Sequence, residues 1–107
     1  MALGFPLNLV QVLLPLTDNR GKRISHAAFI EVKDELSRRF GGVTAYVQSP
    51  AEGQWIDRGR KVLDQVITVE VMTKGNHRKW WKRYRKALEA KFRQEQIVIR
   101  THKIELL

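Results

Sequence analysis

The sequence predicts an α+β domain of the ferredoxin-like β-α-β-β-α-β plan, an antiparallel four-stranded sheet in the order 4-1-3-2 with two helices on one face. Three observations predict it. Four short apolar or alternating runs are separated by two stretches with apolar residues at helical spacing. These elements fall into two β-α-β halves, the order of the split β-α-β motif. The chain has 107 residues, 43 % of them hydrophobic, which is enough for one core and too little for two. A single domain over 1–107 is expected.

The first strand, residues 7–14, reads Leu-Asn-Leu-Val-Gln-Val-Leu-Leu between Pro6 and Pro15. A polar turn at 17–24 follows. Ser25 stands where it can cap a helix over about 26–40, in which Phe29, Val32, Leu36 and Phe40 recur at helical spacing. Gly41-Gly42 closes that helix, glycine supplying the left-handed conformation of a C-terminal cap. Residues 43–49 form the second strand, ended by Pro50, and a loop of about 15 residues leads to the third strand at 65–72. Lys74-Gly75-Asn76 makes a turn, with Asn76 the expected N-cap of a second helix over about 77–94. The fourth strand starts near Gln96 and runs to the end.

Several chemistries are excluded or left without residues. There is no cysteine, so disulfides, thiolate catalysis and Cys-based metal sites are out. His26, His77 and His102 lack ligand spacing, and there is no Gly-rich phosphate loop or serine nucleophile elbow. No metal or cofactor is expected. The apolar start of the chain has no basic leader, is interrupted by Asn8 and Gln11, and meets the polar turn Asp18-Asn19-Arg20-Gly21 instead of a cleavage site. No run of about 20 apolar residues could span a membrane. These features point to a cytoplasmic protein.

The charge is concentrated in one place. Residues 78–93 carry eight Lys/Arg against a single acid, Glu89, in a chain whose net charge is +9. On a helical wheel Trp81, Tyr84, Leu88 and Phe92 form one apolar stripe, and Lys79, Lys82, Arg83, Lys86 and Arg93 form a ridge opposite. Arg78 and Arg85 fall on one flank and Trp80 on the other. A ridge of this kind is either the solvated face of an amphipathic helix or an anion-binding surface for nucleic acid, an acidic protein or anionic lipid. The stripe assigns Trp81 and Tyr84 to the core, so base stacking has only Trp80 to use. The two central strands carry no aromatics, which excludes the RNA-recognition form of this fold. Duplex binding would then be non-specific, with five phosphates giving a log–log salt slope of about −4.5.

The plan leaves one sheet face without helices. Alternation places Leu9, Gln11, Leu13, Thr44, Tyr46, Gln48, Val66, Thr68, Glu70, Met72, Arg100 and His102 there. That mixture is too apolar for water and too polar for a second core, and pairing of two copies into a homodimer would resolve it. Tyr46, Glu70, Arg100 and His102 supply a phenol, an acid, a fixed cation and an imidazole that could surround a small-molecule site. The plainer alternative is a cross-strand pair of Glu70 and Arg100. The loop after the second strand adds Glu52, Trp55 and Asp57, which either fold back over the sheet edge or form a lid over this face.

Phe40-Gly-Gly-Val-Thr-Ala-Tyr, then Ser49-Pro-Ala-Glu-Gly-Gln-Trp, and the closing Phe92-Arg-Gln-Glu-Gln-Ile-Val-Ile-Arg resemble a family of small uncharacterised bacterial proteins. The chain is also similar, more weakly, to the DUF3574 group. The resemblance covers about half of the chain. It implies a bacterial source and the strand-loop arrangement, and it carries no reaction. The expectation is a binding or assembly module that dimerises through its open face, with polyanion binding and a small-molecule enzyme or sensor as alternatives.

Overall fold

The computed structural model describes residues 7–48, 55–57, 60–62 and 66–107. The elements in chain order are β1 (Leu7–Pro15), α1 (His26–Phe40), β2 (Val43–Gln48), β3 (Trp55–Asp57), β4 (Arg60–Val62), β5 (Val66–Lys74), α2 (Arg78–Lys91) and β6 (Val98–Ile104). Four strands form one antiparallel sheet in the order β2-β5-β1-β6, which is the expected 4-1-3-2 arrangement read from the other edge.

Alternation along β1 is complete: Asn8, Val10, Val12 and Leu14 are buried, and their odd-numbered neighbours are half-buried. The register sets Val10 beside Val71 and Val12 beside Val69 on β5, and Val12 beside Ile99 on β6. This row of β-branched residues is one floor of the core. Phe29, Val32 and Leu36 of α1 and Trp81, Tyr84 and Leu88 of α2 cover it, with Phe92 and Ile97 closing the end. Both helices therefore lie on one face, because only the even positions of β1 offer a continuous apolar surface.

Aromatic contacts join the two helices. Phe40 stacks on Trp81 at 5.2 Å and Phe29 meets Phe92 edge-on at 5.4 Å, while within α2 Trp80 stacks on Tyr84 at 4.8 Å. The Arg39 guanidinium lies 4.7 Å from the Trp80 ring, a cation–π contact. Across the same seam Lys91 reaches Glu31 at 2.7 Å and Glu35 at 3.9 Å.

The boundaries differ from expectation in four places. Gly41 has φ 95° and ψ −112°, a positive φ outside the left-handed helical well, so it closes α1 without a left-handed helical cap; its N–H bonds to Ser37 O. Ser25 holds the N-cap position of α1, but its hydroxyl makes no capping bond. His77, with φ 49° and ψ 41°, is the N-cap of α2; Asn76 stands one residue outside and accepts the Arg78 N–H through Oδ1 at 3.1 Å. Finally, α2 ends at Lys91, because Arg93 adopts φ 51° and turns the chain. Within the expected loop, β3 and β4 pair as a short antiparallel hairpin.

The turn after β1 is organised by one carboxylate. Asp18 Oδ1 accepts the N–H groups of Arg20 and Lys22, each at 2.9 Å, and Gly21 supplies the positive φ of 82° that the turn needs. These two backbone donors hold the Asp18 carboxyl below its ordinary range, with Arg93 and Lys22 adding to the effect.

Candidate functional site

Cross-strand register builds the site on the face away from the helices. One row runs Arg100 (β6), Gln11 (β1), Glu70 (β5) and Thr44 (β2), the next Val98, Leu13, Thr68 and Tyr46, and on the other side stand His102, Leu9 and Met72. Leu9, Gln11, Leu13, Thr44, Val66, Thr68, Glu70, Met72, Arg100 and His102 lie there as expected, because a strand's side chains alternate and the buried set of β1 fixes the phase. Tyr46 and Gln48 hold the register positions beside Thr68 and Val66. Neither helix packs on this face. Met72 is 52 % and Val98 45 % exposed, while Thr68 is fully buried although its register places it there.

Glu70 and Arg100 do not touch; they are joined through a third residue. Gln11 donates from Nε2 to Glu70 Oε2 at 2.8 Å, and its Oε1 accepts from Arg100 Nε at 2.7 Å. An amide suits the middle position because it offers a donor to the anion and an acceptor to the cation. The result is a fixed polar line across three strands, with Leu9 and Leu13 beside it on β1. Sequence reasoning placed Gln11 on this face but gave it no role; the signal available was its position opposite both Arg100 and Glu70.

The other expected site residues are distributed as follows. His102 lies on the same face, one row from Arg100. Tyr46 belongs to β2 and Trp55 and Asp57 to β3, where the backbone positions are defined; Glu52 lies outside the described residues. Among the described residues no group of three or more His, Asp or Glu could hold a metal ion. No described helix is long and apolar enough to cross a membrane.

The basic ridge is four residues, not five. Lys79, Lys82, Arg83 and Lys86 are exposed on α2, and among the described residues none of them has an ion-pair partner. Arg93 is not part of it: it follows the helix in a left-handed conformation, its carbonyl accepts the Asn19 N–H at 3.0 Å, and its charge acts on Asp18. The apolar stripe is as expected, with Trp81, Tyr84, Leu88 and Phe92 buried and Trp80 half-buried. The Tyr84 hydroxyl is buried without a well-formed hydrogen bond. Burial first, and then the nearby Glu35 carboxylate, push its pKa well above the ordinary phenol value.

No family model matches the chain, and no curated protein matches it in sequence. Solved structures do resemble it. A phage SAM lyase in complex with S-methyl-5'-thioadenosine superposes with a TM-score of 0.63 at 10 % identity, over 99 % of this chain and 95 % of that one. The phage SAM lyase in its apo state gives 0.58 at 12 % identity, over 99 % and 94 %. At such identities the likeness establishes the fold, a four-stranded antiparallel sheet with two helices.

Proposed function

We propose that the chain is a small binding or assembly module that forms a homodimer through the sheet face opposite its helices. The observation that carries this reading is the order of charge in the Arg100–Gln11–Glu70 row: cation, amide, anion. Neighbouring strands stand about 4.8 Å apart, so the two charged residues are set symmetrically on either side of β1. A two-fold axis running along β1, between two stacked sheets, reverses the row in the second copy. The partner's Arg100 then lies over Glu70, and the partner's Glu70 over Arg100. An axis running across the strands would instead stack like charge on like charge, which is unfavourable. Leu9, Leu13, Met72 and Val98 supply the apolar contact around the row, at the sheet separation of about 10 Å that such packing uses.

Charge exchange tests this directly. Glu70→Arg sets cation against cation across the axis and dissociates the dimer, whereas Glu70→Arg with Arg100→Glu restores it. Light scattering coupled to size exclusion reads both. Failure of the exchange to restore the mass, with both variants folded, sinks the proposed pairing.

A second reading is favoured by the solved structures. A phage SAM lyase of this fold is known in complex with S-methyl-5'-thioadenosine, which supports a small-molecule site, and the candidate residues are those of the open sheet face, Tyr46, Glu70, Arg100 and His102. Titration calorimetry with S-methyl-5'-thioadenosine decides. Saturable heat that Glu70→Gln removes supports an enzyme or sensor, and absence of heat at millimolar ligand rejects this ligand.

A further inference from the structure

On the helical side of the sheet, α2 and the edge strand β6 leave a cavity of about 200 Å³ that extends to Arg100 at the sheet edge. Its apolar surface comes from Val10, Trp81 and Ile99, and four cations border it, Arg78, Lys82 and Arg85 of α2 and Arg100 of β6. Among the described residues no acidic one lines it. The placement follows from the helical repeat: residues 78, 82 and 85 are spaced by four and three, so they share one flank of α2. Trp81 sits between them and turns its ring into the core.

The bonding state of these groups leaves capacity for a ligand. Among the described residues Arg78 and Lys82 have no acidic partner, and the Arg78 backbone N–H is the group that Asn76 engages. The Arg85 Nε makes no hydrogen bond; Glu89 Oε2 stands 3.7 Å away, and that carboxylate oxygen already accepts the Ile97 N–H at 2.9 Å. Thr101, also on the cavity wall, receives a hydrogen bond on Oγ1 from Asn8 Nδ2 at 3.1 Å. A hydroxyl that accepts in this way keeps its own hydrogen for donation.

We propose that this cavity is a binding site for a small organic anion, one phosphate or carboxylate carried on a flat apolar body. Val10, Trp81 and Ile99 take the body. Arg78, Lys82 and Arg85 surround the charged group, and Thr101 donates to it. Arginine matches the planar or tetrahedral oxygens of such groups by paired N–H donors, so two arginines and a lysine suit phosphate as well as carboxylate. The volume selects for size: ligands of drug dimensions occupy about 300–1,000 Å³, so a single ring with its anionic group fits and a dinucleotide does not.

Phenyl phosphate, benzoate and phenol are the probes, each titrated into the intact chain and followed by ¹H–¹⁵N spectra and calorimetry. Phenyl phosphate or benzoate should bind one per chain, shifting the Thr101 amide and the Trp81 indole N–H, with phenol at least tenfold weaker. Lys82→Glu should weaken binding tenfold or more, and Thr101→Val several-fold. Lys86→Glu, an equal charge change on the ridge away from the cavity, should leave affinity within about twofold. Equal loss in Lys82→Glu and Lys86→Glu would reduce the effect to overall charge and overturn the site. So would phenol binding as tightly as the anions, or no shift at Thr101 and Trp81 at saturating probe. The spectra of each variant report its folding, so a lost fold is not read as a lost site.

Discussion

Replacing Gln11 by alanine removes the centre of the polar row and should cost about 1.5–2 kcal/mol of stability. The half-buried bond to the Glu70 carboxylate contributes about 1–1.5 kcal/mol, below the upper range for hydrogen bonds to charged groups because Glu70 keeps some solvent contact. The bond from Arg100 adds about 0.5 kcal/mol, since that side chain is exposed and water competes for it. For a domain of this size the sum lowers Tm by roughly 6–10 °C. The specific test is a double-mutant cycle with Glu70→Gln in urea, at one protein concentration because self-association adds to apparent stability. Coupling between Gln11 and Glu70 of at least about 0.5 kcal/mol is expected. Additivity within about 0.3 kcal/mol would refute the reasoning that the amide and carboxylate act as one unit.

Phe92→Ala should destabilise the chain by about 3–5 kcal/mol in denaturant titration, because Phe92 is fully buried against Phe29 although it lies just past the helix end. Tyr84 has a pKa raised by folding, so its contribution is complete below the unfolded phenol pKa and is lost as pH rises through the folded value. Tyrosinate absorbance from Tyr84 should therefore appear only together with alkaline unfolding, and Tyr84→Phe should remove that coupling. Asp18 has a pKa lowered by folding, so it stabilises above its unfolded value near 3.8 and loses that effect as pH falls further; Asp18→Asn should flatten this acid limb. Polyanion binding by α2 now rests on four cations, which gives a log–log salt slope of about −3.6, and Arg93→Gln should leave it unchanged. A gel-shift titration without binding at about 50 mM salt would remove the ridge from consideration.

The sheet and its two faces were legible because a strand has a period of two and the Val10, Val12, Leu14 run admits one phase only. The span of α1 was legible for a similar reason, since Gly41 and the helical spacing from Phe29 to Phe40 agree. The end of α2 was not. Arg93 continues the amphipathic pattern of the helix, but termination is decided by backbone torsion at that residue, which side-chain periodicity does not report. The β3–β4 hairpin was also missed, although Gly59 between Trp55-Ile56-Asp57 and Arg60-Lys61-Val62 is a hairpin signal. The Gln11 bridge and the cavity beside Trp81 depend on lateral placement: which strand lies beside β1, and which flank of α2 meets β6. A wheel gives angles around one helix and says nothing of its neighbour.

The proposed dimer is tested most directly by the mass of the unmodified chain in solution. Sedimentation equilibrium over a wide concentration range should give twice the 12.5 kDa of one chain, and Leu9→Arg, which places a charge at the centre of the apolar contact, should return it to 12.5 kDa. A mass of 12.5 kDa for the unmodified chain at every concentration would contradict it.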